Sequence, residues 1–206
     1  MTHGGESRRT TSVSVTAVVL AAGSSRRLGT PKQLLPFRDT TVLGASVDVA
    51  RNCRFDQIIV TLGRAASAVC AAVPLDDVDV VTVDDSGSGC SASLRSALPR
   101  VRPGAAGIVL LLGDQPGVAP HTVDRLLAEG AFAPIAVCRY RDGLGHPFWL
   151  SRTVFAALAG LHGDKAVWKV IESRRFTVRE IPVDGPVPPD VDTWDDYQRL
   201  LASVPR

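Results

Sequence analysis

Short apolar runs that alternate with helical patterns limit how this chain can fold more than any other feature. The runs lie at residues 17–22, 57–62, 78–83, 107–112 and 134–140, and the helical patterns at 42–50, 64–73, 92–98, 118–128 and 153–159. Short continuous apolar runs are typical of strands that are buried on both faces of a parallel sheet. Strands that alternate with helices are joined by right-handed crossovers. The pattern predicts a single-domain α/β fold of three layers, in which helices cover both faces of a mostly parallel, doubly wound sheet.

The length and charge of the chain favour one domain without a nucleic-acid or membrane partner. Of its 206 residues, 45% are hydrophobic and 21% are charged, which is enough apolar material for a substantial core. A formal net charge of +2 creates no extended basic surface, so we expect neither nucleic acid nor a membrane surface as a partner. We predict a disordered lead at residues 1–12 and a single domain at residues 13–206.

Cysteine usage indicates a reducing compartment. The cysteines are Cys53, Cys70, Cys90 and Cys138. They form no C-x-x-C pair and have no adjacent histidine cluster, so zinc and redox motifs are not supported, and we expect a cytoplasmic protein. A basic segment at residues 7–9 before the apolar run at 13–22 superficially resembles an export signal. That run is rich in Val and Thr rather than Leu, and a candidate phosphate loop follows it, so we interpret it as a strand.

A loop bounded by two glycines follows the first predicted strand. Gly23 to Gly29 contains small residues, two arginines and one leucine, so the backbone can turn sharply and present consecutive N–H groups to an anion. Lys32 adds a positive charge just beyond the loop. A Walker loop is excluded because five residues separate the glycines and Thr30 follows the second, and a dinucleotide fingerprint would require glycine at Ser25. We predict a polyphosphate pocket of another type.

Polar loops follow two further predicted strands. Residues 84–91 are glycine-rich and lead into a helix with serine at its start, a composition that also suits a simple flexible capping turn. Asp114 follows the run at 107–112, where it is either a ligand-binding carboxylate or part of a turn with Pro116. Because ligands of open α/β sheets bind at the carboxyl edge of the strands, we expect these loops to converge on one site.

Two carboxylates lie close together near the end of the chain. Asp190 and Asp192 are one residue apart and precede Thr193, which we expect to cap a helix running to Ala202. Such a pair is unfavourable unless solvent or a cation surrounds it. Carboxylate oxygens are suitable ligands for Mg²⁺, so the segment is a candidate metal or substrate site.

The first loop resembles the signature of a known family. The segment Leu20-Ala21-Ala22-Gly23-x-Ser25-x-Arg27-Leu28-Gly29-x-x-Lys32 is similar to the loop of the MobA-like nucleotidyltransferases. Within that superfamily it most resembles the molybdenum cofactor cytidylyltransferases of the MocA-like type. The resemblance implies a Rossmann-like, GT-A-like nucleotidyltransferase domain over residues 13–206.

The resemblance also implies roles for individual residues. The nucleotide would be bound by Leu20, Ala21, Ala22, Gly23, Ser24, Ser25, Arg26, Arg27, Lys32, Asp85, Gly89 and Ser93. The catalytic residues would be Arg27, Lys32 and Asp114, and a Mg²⁺ cofactor would be held by Asp114 and Asp192. In the family an Asn reads the base where this chain has Asp84 and Asp85, so the base preference of this loop is open.

Acceptor binding is implied for a segment later in the chain. Gly145 and Pro147 resemble a G-x-P segment that helps to hold the acceptor, with His146 between them and Asp190 beside the site. We predict that residues 141–147 form a long turn, in which His146 is either a turn residue or a ligand. Asp164 is either a helix cap or part of a family motif.

The implied reaction transfers CMP from CTP to the phosphate of molybdopterin and releases pyrophosphate. A phosphate oxygen is already ionised near neutral pH, so no general base is needed and cations must do most of the catalysis. CTP is favoured over GTP because guanylyl-transferring relatives have L-A-G-G where this chain has L-A-A-G. The modified cofactor would serve a partner molybdoenzyme such as a xanthine dehydrogenase type hydroxylase.

Three alternatives remain at this point. The acceptor could be a sugar phosphate or methylerythritol phosphate, since Pro31-Lys32-Gln33 also occurs in methylerythritol phosphate cytidylyltransferases. The protein could instead be a non-catalytic carrier of molybdenum cofactor, which would not need the metal-binding carboxylates. A nicotinamide-dependent oxidoreductase is disfavoured because the G-x-G-x-x-G fingerprint is missing.

Overall fold

The computed structural model describes residues 14–84, 89–163 and 165–203. Its strands are β1 (Val15–Ala21), β2 (Pro36–Phe37), β3 (Thr40–Thr41), β4 (Gln57–Leu62), β5 (Asp79–Thr82), β6 (Gly107–Leu112), β7 (Ile135–Tyr140), β8 (Gly143–Ser151) and β9 (Val178–Pro182). Its α-helices are α1 (Val42–Arg51), α2 (Ala66–Ala72), α3 (Cys90–Ala97), α4 (Pro120–Gly130), α5 (Phe155–Ala159), α6 (Ala166–Glu172) and α7 (Trp194–Ala202). The predicted lead at residues 1–12, Asp85 and Asp164 lie outside the described residues. Within the described part of the chain, no helix combines the length and the apolar character needed to cross a membrane.

A seven-stranded sheet in the order β5-β4-β1-β6-β8-β7-β9 forms the centre of the molecule. β1 pairs in parallel with β4 on one side and β6 on the other, so that Val18 lies opposite Ile59 and Leu110. β8 runs antiparallel to both of its neighbours, β6 and β7, and β9 pairs in parallel with β7. The prediction of a mostly parallel α/β sheet is confirmed, and the parallel strands β1, β4 and β6 bring their carboxyl ends to one edge.

Helices cover both faces of the sheet because side chains of a strand alternate between its two faces. On β1, Ala17 and Val19 belong to one buried cluster, which α1, α2 and α4 complete. Val18 and Leu20 belong to a second cluster, which α3, α5 and α6 complete. β1 is buried along its whole length, as its continuous apolar sequence predicts. The three-layer prediction is therefore confirmed.

The prediction of a long turn at residues 141–147 is wrong. β8 begins at Gly143, directly after a short turn, and continues to Ser151, so Gly145, His146 and Pro147 are strand residues. Val137 pairs with Phe148 whereas Cys138 pairs with Gly145, which leaves His146 and Pro147 in a bulge. A bulge tolerates proline because its residues need not donate to the ladder. The proline therefore interrupts the pairing pattern without ending the strand.

A small third cluster attaches the C-terminal helix to the N-terminal half of the molecule. Val191, Tyr197 and Leu200 pack with Phe37 and other buried residues near the β2–β3 hairpin. The Tyr197 hydroxyl donates a hydrogen bond to the Pro36 carbonyl at 2.6 Å. Residues 190–193, which lead into α7, are thereby held near the loop that follows β1.

Thr193 caps α7, as the sequence predicts. Its hydroxyl accepts a hydrogen bond from the Asp196 backbone N–H at 3.2 Å. The Asp196 carboxylate in turn accepts from the Thr193 backbone N–H at 2.8 Å, which completes a capping box. Two N–H groups that the first helical turn would otherwise leave unpaired are thus satisfied.

We expect Thr193→Ala to lower the free energy of unfolding by about 1 kcal/mol, since the cap loses its acceptor oxygen. Thr193→Ser keeps that oxygen and serves as the matched control, with a change of no more than a few tenths of a kcal/mol. Urea denaturation of the three proteins provides the measurement. Equal losses in both variants would contradict the capping role.

Candidate functional site

Ser25 folds the loop that follows β1. It adopts a left-handed backbone conformation with φ of 49°, and its carbonyl accepts hydrogen bonds from the N–H groups of Leu28 and Gly29 at 3.1 and 3.2 Å. Its hydroxyl accepts from the backbone N–H of Lys32 at 3.0 Å. No described residue accepts a hydrogen bond from the backbone N–H groups of residues 23–27. These donors are therefore free to bind an anion, and the predicted polyphosphate pocket stays a prediction.

Gln33 joins the loop to the end of β1. Its Nε2 donates to the carbonyl oxygens of Ala21 at 2.6 Å and Gly23 at 3.1 Å, and the residue is buried. Both carbonyls would otherwise lack partners at a point where the strand has just ended. Sequence reasoning missed this role, although Gln33 directly follows Lys32, the last residue of the signature segment.

Asp114 reaches the site from the end of β6. The Gly113 N–H donates to the Leu20 carbonyl at 2.9 Å, which continues the pairing of β6 with β1 beyond the strand end. A Cβ atom at Gly113 would lie only 2.7 Å from the Cβ of Ala21. Glycine is therefore required for this close approach, and Asp114 follows it directly.

The Lys32 ammonium lies between two carboxylates. Its Nζ donates hydrogen bonds to Asp114 and, at 2.8 Å, to Asp192, while the Lys32 side chain is only 11% exposed. Arg27 Nη2 lies 3.0 Å from the other carboxylate oxygen of Asp192 and is largely exposed. The structure thus brings Arg27, Lys32, Asp114 and Asp192 together, although they are separated by up to 165 positions in the sequence.

Burial and the neighbouring charges shift the pKa values of Lys32, Asp190 and Asp192. Burial alone would lower the pKa of Lys32, but the adjacent Asp114 and Asp192 carboxylates outweigh it and raise that pKa. The Lys32 hydrogen bond lowers the pKa of Asp192. Asp190 behaves differently, because burial and the neighbouring Asp114 charge raise its pKa to about 6. A carboxylate-rich centre therefore holds one buried cation.

The carboxylates of Asp114 and Asp192 suit a divalent cation. Among the described residues, no group of three or more His, Cys, Asp or Glu is arranged to hold a metal ion. Two carboxylates that already converge on one cation nevertheless fit Mg²⁺, which is commonly held by one or two carboxylates together with water and substrate phosphates. One oxygen of each carboxylate already accepts a hydrogen bond from Lys32 in this structure, so Lys32 and a metal ion would compete for these two groups.

A cleft of about 580 Å³ extends from these charged groups to the start of α3. Residues of the first loop and of the carboxylate centre line it together with Gly89, Cys90 and Ser93. Gly89, with φ of 78°, precedes α3, and Ser93 lies on its first turn. All the predicted nucleotide-binding residues within the described chain therefore border one cleft, and Asp85 lies outside the described residues.

The residues predicted to bind the acceptor do not all line the same cavity. Gly145, His146 and Asp190 line a second cavity of about 300 Å³, and Asp190 borders the first cleft as well. Pro147 is buried within β8 and lines neither cavity. Gln115, Phe148 and Trp168 also line the second cavity, and sequence reasoning assigned none of them a role there. The position of Gln115 directly after Asp114 is the sequence feature that could have indicated its place beside the site.

Comparisons with known proteins agree with this geometry. Residues 17–178 match the model of the MobA-like NTP transferase domain. Nicotine blue oxidoreductase of Paenarthrobacter nicotinovorans is 30% identical over 197 residues, which cover 91% of this chain and 96% of that protein. Purine catabolism protein PucB of Bacillus subtilis (strain 168) is 31% identical over 200 residues, with the same coverages of 91% and 96%.

A solved structure is more similar still. The crystal structure of Rv0371c from Mycobacterium tuberculosis H37Rv is 66% identical with a TM-score of 0.90, over 94% of this chain and 100% of that chain. A complex of Rv0371c with manganese is 63% identical with a TM-score of 0.86, over 93% and 100% of the two chains. The chain described here belongs to the MobA-like NTP transferase family.

Proposed function

We propose that this protein transfers CMP from CTP to the phosphate of molybdopterin and releases pyrophosphate. One observation carries the proposal: Lys32, Asp114 and Asp192 meet at a single point beside a loop whose amides have no partner in the described part of the chain. Family membership supports a nucleotidyltransferase, and the geometry supplies what such a reaction needs. Phosphoryl-type transfer depends mainly on positioning and on neutralising negative charge.

The proposed roles follow from where each group lies. The N–H groups of residues 23–27 would bind the phosphates, and Arg27 and Lys32 would neutralise charge that develops on the pyrophosphate leaving group. Asp114 and Asp192 would hold Mg²⁺, which when bound supplies Lewis-acid stabilisation to the α-phosphate and the attacking oxygen. The manganese complex of Rv0371c supports a divalent cation in this family. No general base is required, because the acceptor phosphate is already ionised.

CTP is the proposed nucleotide because of Ala22. This residue is buried and lines the cleft directly after β1. Its Cβ occupies space that a glycine would leave open, which favours a pyrimidine over the larger purine. The resemblance to cytidylyltransferases, which have L-A-A-G at these positions, points the same way.

Molybdopterin is the proposed acceptor because a cavity with aromatic walls adjoins the charged cleft and shares Asp190 with it. The name of PucB links that relative to purine catabolism, which suits a cofactor for a xanthine dehydrogenase type partner. A sugar phosphate or methylerythritol phosphate acceptor remains the alternative within the same chemistry. Cysteine usage still leads us to expect a cytoplasmic protein.

A second candidate comes from the name of one relative. Nicotine blue oxidoreductase matches nearly the whole chain, so an oxidoreductase that uses a reduced dinucleotide must be tested alongside. A non-catalytic carrier of molybdenum cofactor is the third candidate. The cluster of Lys32 with two carboxylates has no evident use in either role, which favours nucleotidyl transfer. Product analysis by mass spectrometry, after incubation with each nucleotide and acceptor, distinguishes the three.

We expect Lys32→Ala and Asp114→Ala each to lower turnover by about a hundredfold or more, because each removes a charge that the transition state requires. Pyrophosphate release in the presence of CTP and acceptor is the measurement. Arg125→Ala removes a surface charge on α4 that pairs with Glu129 and lines neither cavity, and it serves as a control with wild-type activity. Circular dichroism should show that all three variants fold. Near wild-type turnover in Lys32→Ala or Asp114→Ala would contradict the proposed mechanism.

We also expect pyrophosphate release to be fastest with CTP when CTP, GTP and ATP are compared at equal concentrations. Ala22→Gly should narrow the preference for CTP over GTP by roughly tenfold, the effect of about one methyl group in a tight pocket. A clear preference of the wild-type protein for GTP would contradict the assignment of the nucleotide.

A further inference from the structure

The cavity of about 300 Å³ next to the phosphate cleft is the proposed acceptor site, and the part of the acceptor that it binds is still to be assigned. It shares Leu20, Cys90, Leu112 and Asp190 with the larger cleft, so a single acceptor can extend across both. Most of its other walls are apolar and come from α3, β6, β8 and α6. Within the described chain, the charged residues that line it are Lys165 and Asp190. Such a lining suits an uncharged group better than a second phosphate.

Aromatic rings form one wall of this cavity. His146 and Phe148 are stacked with ring centroids 4.1 Å apart, and Trp168 meets the Phe148 ring edge-on at 5.1 Å. Burial lowers the pKa of His146 to about 3, so its ring is neutral at physiological pH. A wall of neutral aromatic rings favours a flat ligand ring over a hydroxyl-rich sugar, because sugar hydroxyls would lose hydrogen bonds to water there.

Gln115 supplies an unsatisfied polar group at the same cavity. Its Nε2 donates to the Pro188 carbonyl at 2.9 Å, and the residue is only 4% exposed. Its Oε1 is buried and has no hydrogen-bond partner among the described residues. Buried carbonyl oxygens normally have partners, so this oxygen is the part of the amide that is left for a ligand donor. Gln115 is among the residues that line the cavity.

We propose that this cavity binds the flat heteroaromatic ring of the acceptor, and that Gln115 Oε1 accepts a hydrogen bond from an N–H group on the ring edge. The inference rests on the proposed function, in which the acceptor is a pterin. It goes further by assigning the ring subsite and by making Gln115 the residue that selects rings carrying N–H donors. Trp168 contributes contact area to any flat ring, whatever its edge carries.

The test compares two ligands that lack a phosphate and therefore cannot react. Pterin has N–H donors on its edge, whereas quinoxaline is a fused ring of similar shape without them. We expect the full-length wild-type protein to bind pterin more tightly than quinoxaline in calorimetric titrations. In Gln115→Leu the ratio of the two dissociation constants should fall roughly threefold to tenfold, which corresponds to one hydrogen bond.

Trp168→Leu is the matched control, since it should weaken the binding of both ligands and leave the ratio of their dissociation constants unchanged. Gln115→Met, which keeps the length of the side chain, replaces Gln115→Leu if the latter fails to fold. An unchanged ratio in the Gln115 variant, or no binding of either ring at millimolar concentration, overturns the inference. Mg·CTP binding and pyrophosphate release are measured on the same samples. If CTP does not bind or no pyrophosphate is released while the ring selectivity persists, the proposed reaction is refuted and the ring subsite is retained.

Discussion

The placement of one buried ammonium group between two carboxylates is the interaction on which the rest of the site depends. Lys32 is separated from Asp114 by 82 positions and from Asp192 by 160, so its Nζ joins three distant segments of the chain. An unpaired charge with this little exposure would be strongly destabilising, because the desolvation of an ion is not compensated. The carboxylates outweigh that penalty, as the raised pKa of Lys32 indicates.

The fold meets this constraint through a few close contacts. β1 and β6 are neighbours in the sheet, and the missing side chain at Gly113 lets the end of β6 approach Ala21 closely enough to present Asp114. The C-terminal segment arrives separately, where the Val191 N–H donates to the Asp114 carbonyl at 3.2 Å. The buried cluster beneath α7 keeps that segment in place. Asp114 reaches the site because β6 lies next to β1 in the sheet, and Asp192 reaches it because α7 packs against the N-terminal half of the molecule.

Local sequence patterns were sufficient for the elements that surround this centre. The bounds predicted for β4 and β6 agree with the structure, since both are mainly apolar runs that a glycine follows directly. The same approach failed for β8, because the bulge at His146 and Pro147 depends on pairing with β7, which is not a local property. It also missed Gln33 and Gln115, whose roles arise from carbonyl groups of residues 21, 23 and 188. A polar side chain that satisfies a distant backbone group leaves no periodic signal in the sequence.

The charge balance of the centre has a consequence for the proposed reaction. Lys32 pairs with both Asp114 and Asp192 in the structure, and in the proposed reaction the same ammonium would also bind the incoming triphosphate. It cannot serve both groups fully, because leaving the carboxylates would place two negative charges side by side. In the proposed reaction, Lys32 would therefore turn toward the phosphates when another cation takes its place beside the carboxylates. In the proposed reaction, a divalent cation that arrives with the nucleotide would meet this requirement.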